Sequence, residues 1–267
     1  MPYCTRCGNQ IGEDVRFCPR CGAPVGQAAS PGGGIRSQHK APTNAQTVVI
    51  VVAAVVIVAL IVAAVAVTLL SRTQTGSGHL VTNQEDFTGF TSVAVANGFR
   101  FTITQSSSYS VKVTIDDNLV NYLRISESGN ILTIGLAPGY LYLSASPKVQ
   151  ITMPDITQLD LSGGSSGMAQ GFNSSHDFTA TASGGSSFTM SGAARNLSIE
   201  GSGGSQLDLS NFHVANAQVD LSGGSGATIN LIGRLDASLS GGSNLTYIGN
   251  PTMGNITTSG LSVISKK

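Results

Sequence analysis

Tryptophan is absent from this chain, and no cysteine follows residue 21. The second absence excludes a disulfide framework for the remaining nine-tenths and leaves no thiol there to oxidise. A dominant charge is missing too. Residues 1–46 carry five Lys/Arg against Glu13 and Asp14, and residues 71–267 carry nine against twelve carboxylates. Neither imbalance is large enough to make nucleic acid the main partner. The four histidines, His39, His79, His176 and His213, are isolated in sequence and compose neither a triad nor a metal set. Glycine pairs follow strand-like runs but open no helix, so no phosphate-cradling fingerprint is present.

What is present changes sharply along the chain. Residues 47–70 form a 24-residue run without a charge, apolar apart from Thr47 and Thr68. As a helix it would reach about 36 Å, enough to cross a hydrocarbon core of about 30 Å with some tilt. The run is too long, and begins too far from the N-terminus, for a cleaved signal peptide. Arg36 and Lys40 precede it and only Arg72 follows closely, which favours an N-terminus inside. Thiolate metal ligands in a reducing compartment and a cysteine-free outer part agree with that direction. The expectation is a single-pass plasma-membrane protein with a cytoplasmic N-terminus and an extracellular C-terminal domain. Residues 26–46 read as a flexible linker and 71–86 as a polar stalk.

Cys4-Thr-Arg-Cys7 and Cys18-Pro-Arg-Cys21 form a double Cys-x2-Cys array. Two intervening residues let a tight knuckle aim both sulfurs at one ion, and two knuckles complete a tetrahedral zinc site. Gly8 and Gly22, each directly after a knuckle, suit the positive φ of such turns. So short a segment buries little core, and metal would supply its folding energy. The expected ligands are Cys4, Cys7, Cys18 and Cys21, holding one structural Zn2+ with no open position for a catalytic water. The stretch Tyr3-Cys4-Thr5-Arg6-Cys7-Gly8…Phe17-Cys18-Pro19-Arg20-Cys21-Gly22 closely resembles the short zinc ribbons at the N-termini of many prokaryotic membrane proteins. We expect residues 1–25 to dock a cytosolic protein. Arg6, Arg16 and Arg20 read as solvated surface, not a nucleic-acid footprint.

In the remainder, Ser-Gly-Gly recurs from Ser162, Ser183, Ser202, Ser222 and Ser240, and Ser259-Gly260 follows at the same interval. Spacings of 21, 19, 20, 18 and 19 residues signal a solenoid of stacked coils. Three residues before each serine stand Leu159, Ala180, Ile199, Val219, Ala237 and Ile256. Thr157, Phe178, Leu197, Ala217, Leu235 and Gly254 stand five before, and Leu161, Ala182, Gly201, Leu221, Leu239 and Thr258 one before. With a period of two, these sets point inward, while Asp160, Thr181, Glu200, Asp220, Ser238 and Thr257 point outward. The glycines form the corner of each coil. The fold class is therefore all-β: a parallel β-helix-like solenoid over 87–267, with two or three short strands per turn and regular coils from about residue 156. Residues 87–155 have a strand rhythm without a strict repeat and read as an irregular first section or cap.

The Leu-Asp-Leu-Ser-Gly-Gly-Ser type of phrase, after a strand-rich stretch ending Gln150-Ile-Thr-Met-Pro154, resembles the head GIN domain family. Its members are described as putative autotransporter adhesin heads, related to the toast-rack domains of envelope-associated proteins. The resemblance covers most of 90–262 and implies a right-handed β-helix-like fold on the cell exterior. The last coil departs from the phrase, since Leu261 follows Ser259-Gly260, which fits a terminal cap.

Carboxylates in such a column deserve weighing, because parallel β-helices also carry polysaccharide-cleaving enzymes. In this register Glu200 and Asp220 are outward neighbours, either an acid pair, a weak calcium site or a solvated strand face. Asp208 and Asp236 are placed elsewhere on the coil. No aromatic or basic cluster surrounds the pair to hold a sugar, so the chain is read as a non-enzyme. Sequons at Asn173, Asn196, Asn244 and Asn255 are about as many as so Ser/Thr-rich a sequence produces by chance. The sequence points to a membrane-anchored adhesin or binding module for an extracellular ligand or surface. An envelope sensor signalling to the ribbon is the alternative, and a carbohydrate-active enzyme comes third.

Overall fold

The structure, a computed structural model, describes residues 3–12, 15–24 and 72–267. The linker 26–46 and the apolar run 47–70 lie outside the described residues. Among the described residues no helix is long and apolar enough to cross a membrane. The chain divides into two units, a small N-terminal ribbon and a C-terminal β domain.

The β domain is a solenoid with two strands per coil, one for each of two long sheets. From Gln158 onward six coils follow in chain order: Gln158–Leu161 with Ser166–Asn173, then Phe178–Ala182 with Ser187–Ala193, and onward to Thr252–Thr258 with Val263–Lys266. Neighbouring coils pair in parallel, so equivalent residues stack: Ile199 on Ala180, Val219 on Ile199, Ala237 on Val219. Alternation does the rest. In Asn216–Leu221, Ala217, Val219 and Leu221 are buried while Asn216, Gln218 and Asp220 are exposed. The inward columns expected from the repeat therefore form the core. They loosen at the two ends of the repeat: Thr157 in the first coil is only half-buried, and in the last coil Ile256 is exposed and an irregularity sets Met253, not Gly254, opposite Leu235.

In the first five of these coils the corner between the two strands is Ser-Gly-Gly-Ser; in the sixth it is Ser259-Gly260-Leu261-Ser262. Both glycines adopt positive φ, for example 64° and 81° at Gly203 and Gly204. The closing serines, Ser165, Ser186, Ser205, Ser225 and Ser243, are fully buried. Each hydroxyl donates to the carbonyl of the serine three residues earlier, at 2.7–2.9 Å. That bond satisfies a hydroxyl that would otherwise be buried at a cost.

Regular coiling begins well before residue 156. Ser92–Val95 and Arg100–Gln105 pair in register with the coil 158–173. Their corner is Ala96-Asn97-Gly98-Phe99, with Asn97 and Gly98 at φ 61° and 73°. The spatial order is not the chain order. Ile131–Leu136 and Lys148–Met153 form a further parallel layer on the other side of the 92–105 coil. Beyond it the sheets end in antiparallel strands, Leu123–Ser128 in one, Ser110–Asp116 and Leu80–Glu85 in the other.

The segment read as a stalk supplies strands to this end of the domain. Thr73–Thr75 pairs in parallel with Leu141–Leu143, and Leu80–Glu85 is the edge of the ten-stranded sheet. Between them Gly78 N–H donates to Asp116 Oδ1 at 2.7 Å and Ser77 N–H to Asn118 Oδ1 at 3.1 Å. The Asn118 amide donates to Thr75 O at 2.8 Å.

Candidate functional site

In the ribbon, two near-identical knuckles face each other. Gly8 N–H donates to Cys4 O at 2.8 Å and Gly22 N–H to Cys18 O at 2.9 Å. The two glycines have φ of 69° and 67°. A Cβ at either would meet no atom within 4 Å. Glycine is thus required there by backbone conformation and not by space. Cys4 and Cys18 are buried beneath Ile11 and Ala23.

The four sulfurs lie within 4.8 Å of one another, with Cys4–Cys21 at 3.7 Å and Cys7–Cys18 at 3.6 Å. A disulfide would need about 2.05 Å. A tetrahedron of thiolates around zinc, with bonds of about 2.3 Å, has edges of about 3.8 Å. The donor set and its size fit zinc. The sulfurs cannot all be thiolates unaided. The Arg20 N–H, followed by that of Cys21, holds Cys18 down at about 6 against desolvation. At Cys7 the Asn9 N–H works in the same direction. It is outweighed by the Cys21 sulfur, burial and the Cys18 and Cys4 sulfurs, which together push Cys7 up to about 12. A cation at the centre removes that conflict.

The second feature is the outer face of the nine-stranded sheet. Its outward rows run coil to coil. Thr181, Glu200, Asp220 and Ser238 stack in register, as do Thr179, Ser198, Gln218 and Asp236. Asp236 thus shares the face of Glu200 and Asp220, contrary to its expected placement, because residues two apart on a strand point the same way. Asp208 lies on the other sheet. Three adjoining shallow hollows, of about 360, 460 and 300 Å³, follow this face between residues 177 and 257. A smaller one, about 210 Å³, lies on the ten-stranded sheet around Thr189 and Asp208.

An ordered polar border runs along one margin. Arg195 donates to Asp177 at 2.8 and 3.1 Å, and the Asn196 amide donates to Asp177 at 2.9 Å. The Asn216 amide donates to Asn196 at 2.8 Å, and the Arg234 N–H donates to Asn216 Oδ1 at 2.8 Å. Arg234 then clamps Asp236 through two bonds of 2.7 Å, and the Asn255 N–H adds a third. Arg195 holds Asp177 below the usual carboxylate range, and Arg234, then the Asn255 N–H, does the same for Asp236. Glu200 and Asp220 meet as the sequence implied, one strand apart and both exposed. The face is open and polar, with its side chains spread over successive coils.

Residues 89–251, more than half of the chain, match the family model described as "Putative auto-transporter adhesin, head GIN domain". The chain belongs to that family. Residues 3–25 match a zinc-ribbon domain. The head GIN domain also has solved counterparts. A crystal structure of a putative adhesin from Bacteroides fragilis is 16% identical, at a TM-score of 0.59, covering 73% of this chain and all of that one. One of a putative adhesin from Parabacteroides merdae is 18% identical, at a TM-score of 0.49, over 73% and 99%. The first of these shares the fold. No curated protein matches the chain.

The buried corner serines and the Asp177–Asn196–Asn216 border were not read from the sequence. The fourth-position serine was visible in all five Ser-Gly-Gly-Ser phrases. Its burial was not, because an isolated serine reads as surface.

Proposed function

We propose that this chain is a membrane-anchored surface binding protein of adhesin type. Residues 47–70 cross the plasma membrane with the ribbon inside. Cys4, Cys7, Cys18 and Cys21 hold one structural zinc, and the head GIN domain displays its nine-stranded face outside. The observation that carries this reading is the outer face itself. Its polar rows stay in register over successive coils and line open, adjoining hollows, a shape suited to an extended ligand or another surface. The family's description as a putative adhesin head, and the adhesin-described Bacteroides fragilis structure of the same fold, support it.

The experiment is a glycan and protein array probed with the whole chain in lipid nanodiscs. A bound class that is lost on replacing Gln218, Asp220 and Ser238 with alanine, and kept on replacing Thr189 and Asp208, locates binding on the nine-stranded face. Binding indifferent to both sets would remove that face from the account. Protease treatment of intact cells tests the topology, since cleavage within residues 1–25 from outside would reverse it.

A cytosolic partner for the ribbon has one observation in its favour. Tyr3 and Phe17, each directly before the first cysteine of a knuckle, are 63% and 61% exposed. Paired exposed aromatics of this kind suit protein docking. If association at the ribbon shifts when the outer face is occupied, the protein is a sensor. Unchanged association leaves it an anchor.

A further inference from the structure

Resting on the reading that 47–70 spans the bilayer, we infer that the strand Leu141–Leu143, with Tyr140 just before it, seats the head on the lipid headgroups, so that the domain leans on the membrane at its first end.

The covalent path limits how far this strand can stand from the end of the apolar run. From Leu70 to Thr73 the chain advances three residues, at most about 11 Å when fully extended. Thr73 pairs directly with Leu141, and Leu141 N–H donates to Arg72 O at 2.9 Å while Gly76 N–H donates to Leu143 O at 3.0 Å. Adjacent strands lie about 4.8 Å apart, so Leu141 stands within about 16 Å of the last apolar residue. The headgroup zone on each side of the hydrocarbon is about 5–7 Å deep. The strap 73–79 is stitched to Asp116 and Asn118, so it cannot act as a long tether lifting the head away.

The side chains presented there match an interface. Leu141 and Leu143 share one face of their strand and are 55% and 46% exposed. On the opposite face Tyr142 braces the loop, its hydroxyl donating to Ala137 O at 2.8 Å. Tyr122 stacks edge-on against both Tyr140 and Tyr142, with ring centres 4.9 and 6.0 Å away. Tyrosines with an apolar body and a polar tip settle at the headgroup level. Arg72 and Arg124, both exposed, flank the cluster with the sign that anionic headgroups attract. Elsewhere in the head the large exposed apolar side chains are not joined to a tyrosine cluster beside a strand that continues the apolar run.

The absence of tryptophan gives a clean test. The full chain is reconstituted in phosphatidylcholine–phosphatidylglycerol nanodiscs whose acyl chains are brominated near the headgroup. Single reporters are placed as Leu141→Trp, Leu143→Trp, Ile232→Trp in a distant turn and Val58→Trp within the run, the last read with deeply brominated lipid. Quenching at 141 or 143, without quenching at 232, is the expected result. Quenching at 58 with none at 141 or 143 overturns the seat while leaving the membrane span intact. No quenching at 58 removes both. Blue-shifted but unquenched emission at 141 and 143 assigns the patch to a protein and also overturns the seat.

Discussion

A Cβ placed on Gly203 would lie 3.0 Å from the backbone nitrogen of Gly184, its counterpart in the preceding coil. The same approach recurs from Gly184 to Gly163, Gly223 to Gly203 and Gly241 to Gly223, at 3.0–3.1 Å. Gly164, Gly185, Gly204 and Gly224, the second glycines, face open space, and at Gly242 a Cβ would meet only the Leu261 Cβ at 4.0 Å. The two glycines of a corner are thus conserved in pattern along the chain for different physical reasons.

Alanine at the two positions should therefore separate them. Gly204→Ala pays only for a left-handed residue, about 1–2 kcal/mol. Gly203→Ala adds a tight approach to the Gly184 backbone that the preceding coil must relieve by a few tenths of an ångström, giving about 2–4 kcal/mol. Urea denaturation followed by far-UV circular dichroism measures both. Equal losses would count against coil contact as the reason for the first glycine.

Ser205 offers a second prediction. Its hydroxyl lies 2.8 Å from Ser202 O and 2.9 Å from Ala182 O, and 3.3 Å from the Ser225 hydroxyl of the next coil. Ser205→Ala removes the donor and should cost about 1–2 kcal/mol. Ser205→Val should cost more, because the extra methyl enters a packed corner at about 1–3 kcal/mol beyond the lost bond. The same denaturation curves read both.

How much of this was legible follows from where each constraint lies in the chain. The knuckles depend on residues within five positions of one another, so Cys4–Gly8 and Cys18–Gly22 announce themselves. The inward columns were equally readable, since alternation is a local property that stacking merely repeats. The coil 92–105 was missed because Ala96-Asn97-Gly98-Phe99 replaces the Ser-Gly-Gly-Ser phrase. Asn97 fits there because Gly135 in the layer beyond leaves room for its side chain, where a Cβ would lie 2.9 Å from Asn97 Oδ1, and that oxygen accepts the Leu136 N–H at 3.0 Å. The strap was read as a stalk because Thr73–Thr75 pairs with Leu141–Leu143, a partner far along the chain. Neither strand carries a local sign of the other.

Acid should weaken the polar border. Asp177 and Asp236 hold their protons less tightly in the folded domain than in the unfolded chain, chiefly through Arg195 and Arg234. Their contribution is complete above the unfolded value near 3.9 and is lost as pH falls through the lower folded values. Asp236→Asn should flatten the decline in urea midpoint between about pH 5 and pH 2. An unchanged acid limb would show that solvent screens the pair.

Zinc removal should act on one unit alone. With a strong chelator the dispersed amide resonances of residues 3–24 should collapse, while the β signal of the head persists. Cys18→Ser should abolish stoichiometric zinc in elemental analysis. Retention of a folded ribbon without metal would contradict a metal-built core.

The layer 131–153 stacks outside the 92–105 coil, although it follows that coil in the chain. During synthesis, then, the coil 92–105 emerges with both faces bare. Its outer neighbour must double back to cover one face before the coil 158–173 covers the other. Once that early, long-range closure is made, each later coil adds against a finished template at its own nearest neighbour. Growth of the column is polar, like a filament with one end blocked. Its one long-range closure belongs to the half of the head that the glycine repeat does not mark.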